Sequence, residues 1–371
     1  MDVGVQLIFQ NERKDMSDEE MFLHEAETAE LADELGFDSV WPVEHHFRSY
    51  AMCPDNTQFL AYVAGRTKRI KLGTGAVILP WNDPLRVAEK ITALDHLSRG
   101  RVLFGMGRGL SRKEYSGFGT GMDMNEARGR FDESARMILA ALEKGYIEGS
   151  GPFYKQNRTD IRPAPTRSFN GRTYAVAVST ESVDSVASIG ARMMFFTQYD
   201  AEKHKPGVDK YRELFRMHHG VASPPIVTVG FLFCDEDGGR AEEMARRYMT
   251  NYFYSLMEHY ELAGDHFSGV KGYKSYAEAA DMIRSAGLEA TCTAFVNAQD
   301  FGTPKQVLDK IERRNRILGG IDVSMCTSYG GMDYADVEKN MRLFARTVMP
   351  ELKSWKRKAA TTEPEQVAAS A

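Results

Sequence analysis

Short apolar runs alternate along this chain with longer stretches whose apolar residues recur every three to four positions. A short apolar run between turn residues is typical of a buried strand, and the longer repeat is typical of an amphipathic helix. The apolar runs predict strands at residues 3–9, 39–42, 70–77, 102–105, 174–178, 193–196, 226–233 and 321–326. The amphipathic stretches predict a helix that ends at residue 35 and further helices at residues 58–66, 84–97, 125–144, 181–189, 208–219, 239–260, 304–317 and 334–355.

Signals for the ends of helices support this assignment. Glu20 follows Ser17 at the spacing of a capping box, and Gly36 follows the first helical stretch. Strands that are each followed by a helix predict an α/β protein, a (β/α)₈ TIM barrel with parallel strands. The alternative is a doubly wound open sheet, which usually carries a glycine-rich nucleotide loop after its first strand. Residues 9–13 contain no glycine, so the barrel is favoured.

Some segments lie outside the regular alternation. Residues 262–302 form an insertion between helix 7 and strand 8, which we interpret as a lid over the barrel mouth or as a packed excursion. Residues 145–171 are rich in proline and predict an excursion or a hairpin. The tail, residues 356–371, lacks large apolar residues and is expected to be disordered. We therefore predict one barrel domain over residues 1–355.

Composition and charge narrow the classes of partner. The net charge is −5 and the isoelectric point is about 6.0, without a basic stripe, so nucleic acid is not an expected partner. No run approaches the roughly 18 apolar residues of a membrane helix, and a strand rather than a secretory signal follows the first residue. The four cysteines are widely spaced and are expected to be reduced thiols. These features predict a cytoplasmic protein with a small-molecule substrate.

The segment after the second strand is rich in ionisable side chains, at the end of the barrel where active sites lie. Glu44, His45 and His46 follow one another there. Histidine titrates near neutral pH and can take up a proton during catalysis, and the alternative is a structural histidine bonded to backbone. Neighbouring side chains at a strand end point in opposite directions, and no third His or Cys lies at helical spacing nearby. We therefore predict no metal site.

Two further strand ends carry groups suited to a phosphate. Arg108 follows the fourth strand between glycines, and its guanidinium matches phosphate oxygens. Ser179 and Ser182 follow the fifth strand at a helix start, where hydroxyls cap the helix or help its N–H groups to bind phosphate. Because the two strands are neighbours, all three side chains can reach one phosphate. The small residues at 73–77 allow a flat ring to approach the backbone, or serve tight packing at the rim.

Several motifs in this chain occur in a specific combination. They are GTGAVILP at residues 73–80, DHLSRGR at 95–101, FGMGRGL at 104–110, EHHF at 44–47, GTP at 302–304 and MP at 349–350. Together they resemble the bacterial luciferase-like flavin-dependent monooxygenase family over residues 3–352. The resemblance implies a barrel that binds FMN, with the ring deep in the mouth and the phosphate nearer the rim.

The resemblance also implies roles for individual residues. His45 matches the catalytic histidine of the family, and Glu44 matches its acidic neighbour. Ala76 matches the residue under the flavin ring. The phosphate binders of the family are matched by Arg108, Ser179 and Ser182.

The chain departs from the light-emitting luciferase subunit at three positions. Gly107 stands where that subunit has a cysteine near the reactive flavin carbon. The resemblance therefore implies that Gly107 lies beside the cofactor, but without a thiol. Ser111 stands where that subunit has a tyrosine, and Val178 replaces a glutamate beside the phosphate. Light emission is therefore not implied, and the substrate can differ from a long-chain aldehyde.

The mechanism implied by the resemblance uses FMNH₂ and O₂. Reduced FMN comes from a separate flavin reductase, because the chain has no second nucleotide-binding domain. O₂ adds to the flavin to give a C4a-peroxide, which must be shielded from water, and His45 accepts a proton during collapse of the intermediate. We expect Trp41, Phe47, Met106, Phe195 and Tyr199 to line the pocket, which favours an apolar aldehyde or ketone as substrate.

Two other functions remain open at this point. One is an oxidoreductase that transfers hydride with the deazaflavin F420, since that class shares the barrel. The other is a non-catalytic homologue that only binds a flavin. The resemblance further implies a homo- or heterodimer that packs through helices near the start of the chain.

Overall fold

The computed structural model describes residues 1–12, 15–119, 122–270 and 273–355, without the side chains of residues 180 and 181. The tail that we predict to be disordered, residues 356–371, lies outside the described residues. The strands are β1 (Val3–Leu7), β2 (Ser39–Pro42), β3 (Lys71–Gly73), β4 (Val77–Ile78), β5 (Val102–Gly107), β6 (Tyr146–Ser150), β7 (Lys155–Asp160), β8 (Thr173–Val176), β9 (Arg192–Phe196), β10 (Ile226–Cys234), β11 (Asp300–Gly302) and β12 (Ile321–Cys326). The α-helices are α1 (Asp18–Leu35), α2 (Asn56–Arg66), α3 (Pro84–Leu97), α4 (Arg112–Gly117), α5 (Ala127–Lys144), α6 (Thr180–Ser188), α7 (Ala201–His219), α8 (Gly238–Tyr260), α9 (Lys274–Ala286), α10 (Leu288–Asn297), α11 (Pro304–Leu318), α12 (Tyr334–Thr347) and α13 (Met349–Ser354).

A closed ring of parallel strands forms the centre of the molecule. Its order is β1, β2, β3, β5, β8, β9, β10, β12 and back to β1, and every pairing in the ring is parallel. The short strand β4 pairs with the far end of β5. Helices connect successive strands on the outside. The predicted (β/α)₈ barrel is therefore confirmed.

The strands are apolar on both faces because the helices cover the outside and side chains fill the inside. All nine residues of β10 are buried. Inside the ring, the indole of Trp41 lies against the backbone of Gly73, where an added Cβ would stand 2.1 Å from the Trp41 ring. At Gly73, therefore, the small residue serves the packing of the barrel.

The helix signals of the sequence correspond to observed ends. Ser17 Oγ accepts a hydrogen bond from the N–H of Glu20, and the Glu20 carboxylate accepts one from the N–H of Ser17. Helix α1 stops at Gly36, whose φ of 90° is readily adopted only by a residue without a Cβ. The predicted capping box and helix end are both confirmed.

Two predicted elements are divided in the structure. The third strand, predicted over residues 70–77, is divided into β3, which ends at Gly73, and β4, which begins at Val77; between them the Thr74 hydroxyl bonds to the backbone of Gly105. The last helix, predicted over residues 334–355, is broken near Val348. Pro350 has no N–H for the preceding turn, which explains the second break.

The two excursions from the ring differ in form. Residues 145–171 include an antiparallel hairpin of β6 and β7, in agreement with one of the two expectations. The insertion at 262–302 folds into α9, α10 and β11, and β11 pairs with the end of β10 outside the ring. Over the residues that the structure describes, every helix is too short or too polar to span a membrane.

Candidate active site

A cavity of about 210 Å³ opens at the carboxyl ends of the barrel strands. Part of its wall is apolar and aromatic, formed by Phe231, Tyr252, Leu256 and Phe295. Ionisable and polar groups reach it from separate strand ends and helices: His45, Arg108, Glu114, Arg128 and Ser182. An apolar cavity with a few convergent polar groups at this end of a barrel is the arrangement of an enzyme active site.

His45 lines the cavity and is held by two side chains. Its Nδ1–H donates to Glu114 Oε1 over 3.0 Å, and its Nε2 lies 3.1 Å from the hydroxyl of Tyr260. The side chain is 14% exposed, so it is accessible from the cavity but mostly shielded from water. One nitrogen faces a carboxylate and the other a neutral hydroxyl, which suits a group that accepts a proton at Nε2.

Glu114 is the acidic partner of His45, and sequence reasoning did not find it. The same Oε1 also accepts a hydrogen bond from the N–H of His46 over 2.7 Å. Burial alone would raise the pKa of Glu114, but His45 and His259 outweigh burial and lower the pKa to about 2. Glu114 lies on the short helix α4 after β5, which no periodicity indicates. An acidic residue soon after a barrel strand is the only signal that the sequence offers.

Glu44 and His46 form a separate pair. The Glu44 carboxylate accepts hydrogen bonds from the N–H of Ile78 and from the amide of Asn82, both over 2.9 Å. Its other close neighbour is His46 Nε2, at 3.5 Å. Burial raises the pKa of Glu44. The two adjacent histidines point to opposite sides, as expected at a strand end, and Glu44 is the partner of His46 rather than of His45.

The expectation of no metal site rested on residues close in sequence. The fold adds His259 from α8, and the ligand atoms of His45, Glu114 and His259 lie within 4.8 Å of one another. The tertiary structure thus brings a third candidate ligand close to His45, although none lies nearby in the sequence. The absence of a metal stays a prediction.

The groups predicted for a phosphate follow two neighbouring strands, β5 and β8. Arg108 and Ser182 both line the cavity, and Arg108 Cζ lies 4.1 Å from the ring centre of Tyr273. Ser179 caps α6, where its hydroxyl accepts the N–H of Ser182. Arg128 of α5 also lines the cavity, and sequence reasoning missed it because a single arginine in an amphipathic helix carries no signal.

Ala76 and Gly107 lie side by side at the cavity wall. An added Cβ at Gly107 would stand 2.7 Å from Ile78 Cδ1 and 3.4 Å from Ala76 Cβ. The side chain of Ile78 thus occupies the space into which a larger residue at 107 would point. The backbone of Ala76 is held in place by Asn56, the first residue of α2, whose amide donates a hydrogen bond to the Ala76 carbonyl over 3.1 Å.

The predicted lining of the pocket is largely wrong. Of the five residues, only Tyr199 lines the cavity. Trp41, Met106 and Phe195 are buried in the core, and Phe47 is 59% exposed. The reason is strand alternation: Phe195 packs outward on His204 of α7, and its neighbour Phe196 faces the cavity.

The insertion predicted as a lid contributes to the same cavity. Leu262, Tyr276, Ala279 and Ile283 all line it, and Tyr273 donates a hydrogen bond from its hydroxyl to Gly109 O over 3.1 Å. The insertion therefore lies against the barrel mouth, and its role as a lid stays a prediction.

Fold and site together define an enzyme built on a parallel (β/α)₈ barrel. The family model of luciferase-like monooxygenases matches residues 1–320, so this chain belongs to that family. The resemblance that the motifs carried is confirmed, and with it an oxidoreductase of the monooxygenase class.

Individual relatives agree over most of their length. The chain is 26% identical to the alkanal monooxygenase alpha chain of Photorhabdus luminescens over 331 residues, which cover 88% of this chain and 91% of the relative. It is also 26% identical to the solved monooxygenase RslO1 of Streptomyces bottropensis, with a TM-score of 0.77 and coverage of 95% and 100%.

Two more distant structures share the fold. The oxygenating constituent of 3,6-diketocamphane monooxygenase from Pseudomonas putida, solved with FMN, has a TM-score of 0.72 at 19% identity and covers 95% of this chain and 98% of its own. An F420-dependent secondary alcohol dehydrogenase has a TM-score of 0.70 at 15% identity, with coverage of 94% and 98%. Both likenesses concern the fold alone.

Proposed function

We propose that this protein uses reduced FMN and O₂ to oxidise a small apolar molecule, with aldehydes and ketones favoured, and receives reduced FMN from a separate reductase. The observation that carries the proposal is the composition of one cavity. It joins the His45–Glu114 pair and an apolar wall to two guanidinium groups and a helix start. Membership of the luciferase-like monooxygenase family supports a flavin cofactor, and one protein of the same fold was solved with FMN.

The residues present fit a phosphorylated flat ring. The part of the cavity wall where a flat ring would bind carries mostly small residues, namely Gly75, Ala76 and Gly107. Ile78 is the larger side chain beside them. Arg108 and Arg128 bring positive charge to the cavity, where a phosphate would bind to guanidinium and to Ser182. Reduced FMN, when bound, supplies the activation of O₂.

His45 is the residue that we assign to proton transfer. The Glu114 carboxylate accepts the Nδ1–H, which makes Nε2 the acceptor nitrogen of His45, and the Tyr260 hydroxyl donates to it. Nε2 then takes the proton released by the substrate and can return it later in turnover. The Tyr260 hydroxyl, 3.1 Å away, keeps Nε2 oriented.

The apolar wall acts by excluding water. Phe231, Tyr252 and Phe295 pack against one another, with ring centres of the first two 4.4 Å apart. Leu262 and Ile283 of the insertion face the same space. A pocket that excludes water limits the side reaction in which activated oxygen is lost as H₂O₂ before it reaches the substrate. It also favours a substrate without charge.

Replacement of the histidine tests the proposal. We expect His45→Ala to bind FMN as the wild type does and to lower the rate of product formation by about 10²- to 10⁴-fold, the range of general acid–base catalysis, so that less product is formed per NADH. The assay combines a flavin reductase, NADH, FMN and a panel of aldehydes and ketones, and measures product against H₂O₂. His218→Ala, on the outer face of α7, is the matched control.

Titration with FMN, FMNH₂ and F420 distinguishes the rival functions. Binding of F420 with hydride transfer in the absence of O₂ would favour the deazaflavin enzyme. Tight FMN binding with no product from any substrate would favour the non-catalytic homologue. Unchanged coupling in His45→Ala would remove His45 from the mechanism. A cytoplasmic location and a homo- or heterodimer remain predictions alongside this proposal.

A further inference from the structure

His259 is a second imidazole at the site, and nothing in the mechanism above uses it. It comes from the last turn of α8, and its side chain is 1% exposed. The ring of Tyr50 stacks on it, with ring centres 4.4 Å apart and an interplanar angle of 15°. Within the described part of the chain, neither ring nitrogen has a hydrogen-bond partner within 3.5 Å. A buried polar group without a hydrogen-bond partner lowers the stability of the fold, so its presence in a native structure calls for an explanation.

The nearest polar atom to His259 belongs to Glu114. His259 Nε2 lies 3.6 Å from Glu114 Oε2, and that oxygen also lacks another hydrogen-bond partner among the described residues. The other carboxylate oxygen is engaged by His45 Nδ1 and by the N–H of His46. One carboxylate therefore stands between two imidazoles, and each oxygen faces one of them.

We propose that His259 is a positioning residue, which acts through Glu114 to keep His45 in the tautomer with the proton on Nδ1. An Nε2–H of His259 directed at Oε2 restrains the carboxylate from rotating. The restrained Oε1 then takes the Nδ1–H of His45 and leaves Nε2 of His45 as the proton acceptor.

The electrostatics favour a neutral His259 in this arrangement. Burial lowers the pKa of His259, although Glu114 works in the opposite direction. The two imidazole ring centres are 5.2 Å apart, so two positive charges there would repel each other. The titratable groups around the pair come from several elements: Tyr50 after β2, Lys113 and Glu114 on α4, Tyr252 and Tyr260 on α8, and Tyr276 on α9.

The closing experiment compares two substitutions of one residue. In His259→Phe the ring shape is kept and the N–H is lost, whereas in His259→Gln an amide N–H can still reach Glu114. The primary readout is ¹⁵N NMR of histidine-labelled protein without cofactor, because the tautomer of His45 is visible there. The NMR readout does not depend on the proposed function. Only the second readout, the product formed per NADH, rests on it.

We expect His259→Phe to mix the two tautomers of His45, and His259→Gln to restore the Nδ1–H form. With the complete system, His259→Phe should lower product per NADH about tenfold and change the pH profile, while the FMN affinity stays within about twofold. Thermal unfolding verifies that both variants are folded. If the protein binds no flavin, the NMR result still stands, so failure of the proposed function is recognised separately.

Two outcomes would overturn the inference. One is a His45 tautomer that is the same in wild type and in both folded variants. The other is a stoichiometric zinc ion in the purified protein that is lost in His259→Phe. Zinc would make His45, Glu114 and His259 ligands rather than a hydrogen-bonded chain.

Discussion

A buried network at the amino end of the barrel and a buried carboxyl group at its carboxyl end differ in how completely they are hydrogen bonded. At the amino end, Arg192 donates to Asp322, to the Tyr174 hydroxyl and to Pro225 O, and Asp322 also accepts the N–H of Asp2 over 2.7 Å. At the carboxyl end, Glu25 of α1 is fully buried beside Ser328 and the backbone of Phe9, and over the described residues neither of its carboxyl oxygens meets the geometry of a hydrogen bond.

The difference separates stability from function. A fully paired network at the amino end holds the strands in register, and it leaves no group free for chemistry. An incompletely paired group such as Glu25 costs stability, and it is a group whose protonation can change near neutral pH.

The largest effect is expected from a break in the amino-end network. Asp322→Ala leaves the buried charge of Arg192 unpaired, so we expect a loss of about 3–5 kcal/mol in the free energy of unfolding, measured with urea. Glu202→Ala removes an exposed partner of Arg313 and should cost less than about 1 kcal/mol. Equal costs for the two variants would break the comparison.

The buried carboxyl group of Glu25 should make the free energy of unfolding depend on pH. Burial raises the pKa of Glu25 from 4.5 to about 8, so the folded state binds the proton more tightly than the unfolded state. The contribution of this group to stability is thus greatest below about pH 4.5 and falls as the pH rises to about 8. We expect Glu25→Gln to gain up to about 3 kcal/mol at pH 7 and nothing at pH 4.

Urea unfolding at several pH values measures this gain. Glu27→Gln, on the exposed face of the same helix, is the control and should show no such pH dependence. A gain for Glu25→Gln that is independent of pH would show that folding does not raise the pKa of Glu25.

The smallest effect is expected at the phosphate end of the cavity. Arg108→Ala should weaken FMN binding by about 1.5–3 kcal/mol, the scale of a hydrogen bond to a charged group. Riboflavin, which has no phosphate, should bind both proteins equally in a fluorescence titration. Arg136→Ala, exposed on α5, is the matched control. An equal loss for riboflavin would place Arg108 at the ring rather than at the phosphate.

The sequence predicted the architecture well, because strand and helix periods are local properties. The bounds of β2, α3 and β12 agree with the predicted ones to the residue. For the site, the sequence led to His45, Arg108 and Ser182, all of which line the cavity. These residues directly follow strands, and a parallel barrel gathers the ends of its strands at one face.

The sequence did not predict the groups that surround His45. Glu114 lies 69 positions from His45, and Tyr260 lies 215 positions away on a helix that reads only as amphipathic. The prediction of the pocket lining was wrong for a related reason. The alternation of a strand indicates that Phe195 and Phe196 point to opposite faces, but it does not indicate which of them faces the cavity.

The amino-acid sequence by itself determined a (β/α)₈ barrel, its family and the strand ends that carry its chemistry, because periodicity and motifs act over short distances. Only the tertiary structure decided that Glu114, rather than Glu44, pairs with His45 and that His259 stands behind that pair. Such pairings depend on which side chains converge when distant strands close a ring, and no local pattern encodes that geometry.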